Sequence, residues 1–144
     1  IRYEKTMENG MNKKVTEPYL VDALSFTEAE ARIIEEMTPF ISGEFTVSDI
    51  KRANYSELFP CEEDAADRWF KCKLVFITLD EKSGAEKKTS TQVLVQAADL
   101  RDAVKKLDEG MKGTMADYQI ASVAETAIMD VYPYSAEPND KPEV

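Results

Sequence analysis

Residues 13–37, KKVTEPYLVDALSFTEAEARIIEEM, return without a gap as residues 87–111, KKTSTQVLVQAADLRDAVKKLDEGM. At this offset Lys13, Lys14, Leu20, Val21, Ala23, Ala29, Glu35 and Met37 meet identical residues at Lys87, Lys88, Leu94, Val95, Ala97, Ala103, Glu109 and Met111. Conservative pairs lie between them: Thr16 with Ser90, Ser25 with Asp99, Phe26 with Leu100, Glu28 with Asp102, Ile33 with Leu107. Upstream, Asn9-Gly10 falls on Ser83-Gly84, and both dipeptides are turn signals. Downstream, with one residue dropped, Phe45, Val47, Ile50, Leu58, Phe59 and Pro60 fall on Tyr118, Ile120, Val123, Val131, Tyr132 and Pro133. Turn, helix cap, helix and exit strand arriving in one register is the mark of a structural unit used twice.

The shape of the unit follows from its pattern. Residues 69–79 are rich in aromatic and β-branched side chains, Ser83-Gly84 reverses the chain, and residues 89–97 form a second apolar run, which together predict a hairpin. Residues 1–6, Asn9-Gly10 and residues 15–23 repeat it. Asp99 and Ser25 stand where a helix cap belongs, because a short oxygen-bearing side chain accepts a bond from an unpaired first-turn amide, and Glu28 completes a capping box. Behind the caps, Phe26, Ala29, Ile33 and Met37, and Leu100, Ala103, Val104, Leu107 and Met111, recur at helical spacing and predict one inward stripe per helix. Gly110 and Gly113 end the second helix, and Pro39 with Gly43 breaks the chain after the first. A third strand is expected over residues 44–53 and 118–128. The expectation is an α+β protein built from a duplicated ββαβ unit, residues 1–60 and 67–134, with antiparallel sheet and two helices packed on it in one pseudo-twofold domain. The offset places the start of the first strand about five residues before Ile1. Residues 135–144 hold two prolines, three acids and almost nothing apolar, the composition of a disordered tail.

With 144 residues, 43% of them apolar, the chain can bury one core that the two halves share. Nothing reaches the run of about 20 apolar residues that a membrane helix needs, and no signal-peptide succession opens the sequence, so a cytoplasmic protein is expected. Cys61 and Cys72 lack metal-ligand spacing and read as reduced thiols. Residues 74–77, 93–95 and 19–21 are apolar on both strand faces, so the sheet needs cover on both sides. The halves packing on each other supply it in a monomer, and a second subunit in a homodimer.

Histidine is absent, which removes the commonest general base and metal ligand together. No P-loop, GxGxxG turn or GxSxG elbow is present. Glu62-Glu63-Asp64, Asp80-Glu81, Glu35-Glu36 and Asp108-Glu109 are the oxygen-rich sets able to attract Mg²⁺, but among 28 acids such doublets arise freely and fall on solvated positions. A net charge of −10 repels phosphates unless cations gather on one face. Lys13-Lys14, Lys87-Lys88 and Lys51-Arg52 are the candidates for such a face, for phosphates or an acidic partner; lysines that guard strand edges are the plainer account. Trp69, Phe70, Phe76, Tyr118, Tyr132 and Tyr134 sit in or beside strands, where they pack a core more often than they stack bases.

The runs from Tyr3-Glu4-Lys5-Thr6 through Glu17-Pro18-Tyr19 to Ala31, then Ile50-Lys51-Arg52-Ala53-Asn54-Tyr55-Ser56-Glu57, and Gly110-Met111-Lys112-Gly113-Thr114-Met115-Ala116-Asp117-Tyr118, resemble an uncharacterised domain-of-unknown-function family of gut Bacteroidetes and their phages and mobile elements. The resemblance covers nearly all of the chain up to Tyr134. It implies a small cytoplasmic accessory protein and transfers no catalytic, cofactor or binding residue. The function expected is therefore non-enzymatic and cofactor-free, through contact with a protein partner. The alternatives are a single-stranded nucleic-acid binder and a carboxylate-metal hydrolase.

Overall fold

The computed structural model describes residues 1–133, so Tyr134 and the tail expected over 135–144 lie outside the described residues. In chain order the elements are β1 (Arg2–Thr6), β2 (Asn12–Thr16), β3 (Leu20–Val21), α1 (Phe26–Met37), β4 (Phe45–Thr46), β5 (Glu57–Phe59), β6 (Arg68–Leu79), β7 (Glu86–Ala97), α2 (Leu100–Gly110), β8 (Asp117–Glu125) and β9 (Val131–Tyr132). The chain is α+β, with two helices and mainly antiparallel sheets. Its described residues divide into two compact units, one made of residues 1–52 and 128–133, the other of residues 53–127.

The second unit is a four-stranded sheet in the order β5-β7-β6-β8, with α2 packed on it. Its backbone is the β6–β7 hairpin, twelve residues a strand, from Arg68↔Ala97 to Leu79↔Glu86. Gly84 supplies the positive φ, 72°, that closes the turn, and its amide donates to the Asp80 carbonyl at 2.7 Å. Because neighbours along a strand face opposite ways, Phe70, Cys72 and Leu74 share one face with Val93, Val95 and Ala97 of β7. Against that face α2 lays Ala103, Leu107 and Met111, all buried. Asp99 caps α2 by accepting from the Asp102 amide at 2.8 Å, and Asp102 in turn accepts from the Ala98 amide at 2.9 Å. Burial in this core pushes the Cys72 thiol up to about 11, which makes it an inert packing group.

The first unit repeats much of this on a smaller scale. Its sheet is β2-β1-β4, with a separate parallel pair β3-β9 and α1 beside it. Gly10, at φ 83°, closes the β1–β2 hairpin. Ser25 accepts from the Glu28 amide at 3.1 Å while Glu28 accepts from the Leu24 amide at 2.8 Å, the capping box read from sequence. The core is thin: Ile1, Ile33 and Met37, ringed by half-buried Tyr3, Tyr19, Val21, Phe45, Val47 and Tyr132.

Three expectations need correcting. The third strand expected over 44–53 is only Phe45–Thr46, and Lys51-Arg52 lies in irregular chain. β4 pairs Phe45 with Tyr3 and Thr46 with Arg2. β8, opposite the longer β6, runs nine residues, with a bulge opposite Lys73/Leu74. Next, Phe26 and Leu100, expected in the inward stripes, are both exposed. Each helix begins just beyond the strand it follows, so its first residue overhangs the sheet. Finally, residues 1–60 and 67–134 are not the compact units. β5 joins the second unit, Leu58↔Leu94 and Phe59↔Val95, and β9 joins the first, Leu20↔Val131 and Val21↔Tyr132. Both are parallel pairings, and both use the Leu-Val dipeptide of residues 20–21 and 94–95.

The seating of β5 has one tight point. A Cβ placed on Gly110 would stand 2.8 Å from Cδ1 and Cε1 of Phe59, so the absence of a side chain at the end of α2 is what admits that ring. Gly110→Ala is expected to destabilise the protein by about 1–3 kcal/mol, read from urea unfolding followed by the fluorescence of Trp69. Phe59→Leu in the same chain should recover part of that loss. Additive losses in the double variant would show that the two residues do not meet.

Candidate functional site

Each lysine pair of a strand divides between the two faces of its own sheet. Lys87 and Lys88 are consecutive on β7, opposite Thr78 and Ile77, so one points to each face of the sheet. Lys13 and Lys14 on β2 likewise split, opposite Lys5 and Glu4. All four are exposed. Lys51 pairs with Asp49 at 3.7 Å, and Arg52 is exposed beside it. Trp69 and Phe70 are buried, and Phe76 and Tyr118 pack against the core with their rings 6.2 Å apart. Trp69 and Phe70 belong to the second unit's interior, and Phe76 and Tyr118 lie half-buried against it.

Three of the acidic sets have one member engaged locally. Asp80 accepts from the Lys82 amide at 3.0 Å and the Ser83 hydroxyl at 3.1 Å, turn bonds that hold its carboxyl below the usual carboxylate range. Glu63 and Asp102 share the Lys106 ammonium at 3.2 and 3.0 Å. Asp108 accepts from the Tyr118 hydroxyl at 3.3 Å. Among the described residues no three His, Cys, Asp or Glu side chains come together to hold a metal ion, and no helix is long and apolar enough to cross a membrane.

Two features of the first unit escaped the sequence pattern. The first is Glu17, the one buried charged side chain among the described residues. Its carboxylate accepts from Tyr3 at 3.0 Å and Tyr19 at 3.2 Å, with the Lys5 ammonium 3.6 Å away. Tyr19 stacks on Tyr132, ring centroids 6.1 Å apart, and the Tyr132 hydroxyl reaches the Met37 sulfur at 3.7 Å. Thr91 holds the matching place 74 residues on, so this polar knot belongs to one unit alone. Every acceptor bond that Glu17 makes is to its own fold, which marks it as an internal brace.

The second feature is the outer face of α1. Inward go Ala29, Ile33 and Met37; outward go the adjacent helical rows Phe26, Glu30, Ile34 and Thr27, Ala31, Glu35. Phe26 is 56% exposed and Ile34 41%, and the flanking Leu24 and Phe40 are 91% and 75% exposed. Leu24 holds the position from which a hydrophobic staple would fold onto the helix, yet it stands free in solvent. The doublet Ile33-Ile34 was the available sequence signal, since Ile34 lies about 100° round the helix from the Ala29, Ile33 and Met37 row.

The architecture defines a two-helix α+β protein in which Phe26 and Ile34 of α1, with Leu24 and Phe40 flanking it, are among the exposed apolar side chains, and in which several carboxylates serve caps, turns and one internal brace. The chain belongs to a family described as a domain of unknown function, DUF4494, which matches residues 1–134. No curated protein and no solved structure matches it.

Burial above all, and then the Glu17 charge, hold the Tyr19 hydroxyl above the ordinary tyrosine value of 10; burial and the bond to Glu17 do the same for Tyr3. A tyrosine that stays protonated in the fold contributes stability that is full below pH 10 and lost as pH rises above it. Glu17→Gln is expected to lower the pH at which Tyr19 ionises in a phenolate absorbance titration and to shrink the alkaline loss of stability. A titration curve identical to that of the wild-type chain would refute the brace.

Proposed function

We propose that this chain is a non-enzymatic binding protein that docks a protein partner on the outer face of α1. The observation that carries it is the exposed apolar set Leu24, Phe26, Ile34 and Phe40, which the chain's own packing leaves uncovered. Single exposed apolar residues are ordinary, but a set gathered along one helix is the usual form of a docking surface. Of the corresponding positions of α2, Asp108 stands where α1 has Ile34 and Ala98 where it has Leu24, while an exposed Leu100 stands where it has Phe26. The net charge of −10 favours contact with protein over nucleic acid. Burial of Trp69 and Phe70 takes two of the aromatic side chains that the nucleic-acid alternative would stack bases on. The resemblance to a family of gut Bacteroidetes and their phages and mobile elements supports an accessory role in the cytoplasm.

A photo-cross-linker placed at position 34 in cells that express the protein natively is expected to give a discrete protein adduct, weakened by Phe26→Ser. The same group at position 105, on the exposed side of α2, should give none. Equal adducts from both positions would sink the proposal. Because both side chains are exposed, the Phe26→Ser/Ile34→Ser pair should leave stability within about 0.5 kcal/mol of wild type.

A further inference from the structure

The charges around the α1 face say what kind of surface it fits, and this step rests on the docking role just proposed. Glu30 shares a row with Phe26 and Ile34, and Glu35 lies in the row beside it; both are exposed. No ion pair involves either carboxylate among the described residues. Arg32 is the only cation in α1, and its guanidinium is turned to the backbone carbonyls of Asp22 and Pro133 instead. Glu28 is occupied at the helix cap. The last turn of α1 carries no basic residue, although a helix C-terminus favours cations and disfavours the Glu35 and Glu36 that stand there. The outer face is thus apolar anchors set among uncompensated acids.

Such a face repels a copy of itself, because pairing would press Glu30 and Glu35 against their own kind in a partly dehydrated contact. It complements a segment that brings apolar side chains and positive charge together. α1 is twelve residues, about 18 Å at 1.5 Å per residue, the length of three or four helical turns. We infer that α1 receives a basic amphipathic segment of a partner protein, its apolar side chains resting on Phe26 and Ile34 and its Lys or Arg side chains meeting Glu30 and Glu35. Helix-on-helix docking through residues three and four apart is a recurrent mode of peptide recognition.

The test is a fluorescence-anisotropy titration of the full chain with a labelled helical peptide of leucine and lysine about four turns long, beside a leucine–glutamate counterpart. The leucine–lysine peptide is expected to bind, more weakly as salt rises, and the leucine–glutamate peptide not to bind. Phe26→Ser/Ile34→Ser should weaken binding by about tenfold or more, and Glu30→Lys/Glu35→Lys should abolish it and admit the leucine–glutamate peptide. Binding that survives both pairs of substitutions would mean that overall charge attracts the peptide, and would overturn the inference. Loss with the serine pair alone, while the position-34 adduct still depends on Phe26, would overturn the basic character of the partner and leave the docking face standing. A wild-type dimer in sedimentation that the serine pair dissociates would assign the face to a second copy and overturn the inference as well.

Discussion

A parallel strand pair cannot be closed by a tight turn, so the two strands must come from distant parts of the chain. Both parallel pairs here meet that constraint through the same dipeptide. Leu94 and Val95 receive Leu58 and Phe59, and Leu20 and Val21 receive Val131 and Tyr132. The first compact unit is therefore not a continuous piece of sequence: β9 returns to the unit that opens the chain, whereas the second unit runs unbroken from residue 53 to 127. The packing at each site follows from the strand so placed. Phe59 arrives at the end of α2 where Gly110 leaves room for its ring, and Tyr132 arrives at the end of α1 against Met37. Glu36 takes the place of Gly110 in the first helix, and there the ring keeps its hydroxyl directed at the Met37 sulfur.

Much of this was legible at the level of local rules. Asn9-Gly10 and Ser83-Gly84 mark hairpins because a glycine takes positive φ without strain, and both glycines do so. Ser25 and Asp99 mark helix starts because their oxygens satisfy first-turn amides, and the bonds are at the expected residues. What escaped is set by partners distant in sequence. The length of a strand depends on the neighbour it pairs with, so Phe45–Thr46 and Asp117–Glu125 differ although their opening residues match. The fate of Phe26 and Leu100 depends on where the sheet ends, which periodicity within a helix does not contain. The burial of Glu17 depends on Tyr3 arriving from β1, and a Thr-Glu-Pro run in isolation reads as an exposed strand end.

The candidate site was legible in the opposite sense. Charge pairs catch the eye in a sequence, yet consecutive lysines on a strand must face opposite ways, and this divides Lys13 from Lys14 and Lys87 from Lys88. Periodicity brings together residues three or four apart on a helix, which is why Phe26, Glu30 and Ile34 make a surface while no adjacent pair does. Exposure decides the rest. Trp69, the most conspicuous aromatic, is buried, whereas Phe40, in an unremarkable turn after α1, is three-quarters exposed.

Some differences between the two units are of a chemistry that folding does not demand. Ile34 against Asp108 is the clearest case, because a solvated position on a helix is served at least as well by the acid. An exposed isoleucine in a chain rich in acids carries a cost in solubility and gains nothing from the interior that Ile33 already fills. Glu35 beside it carries a second small cost, set against the helix dipole with no basic residue in that turn. Both costs fall on one face of one helix. A surface that keeps two unfavourable features side by side is accounted for when a partner relieves both at once, covering the apolar side chain and neutralising the acid.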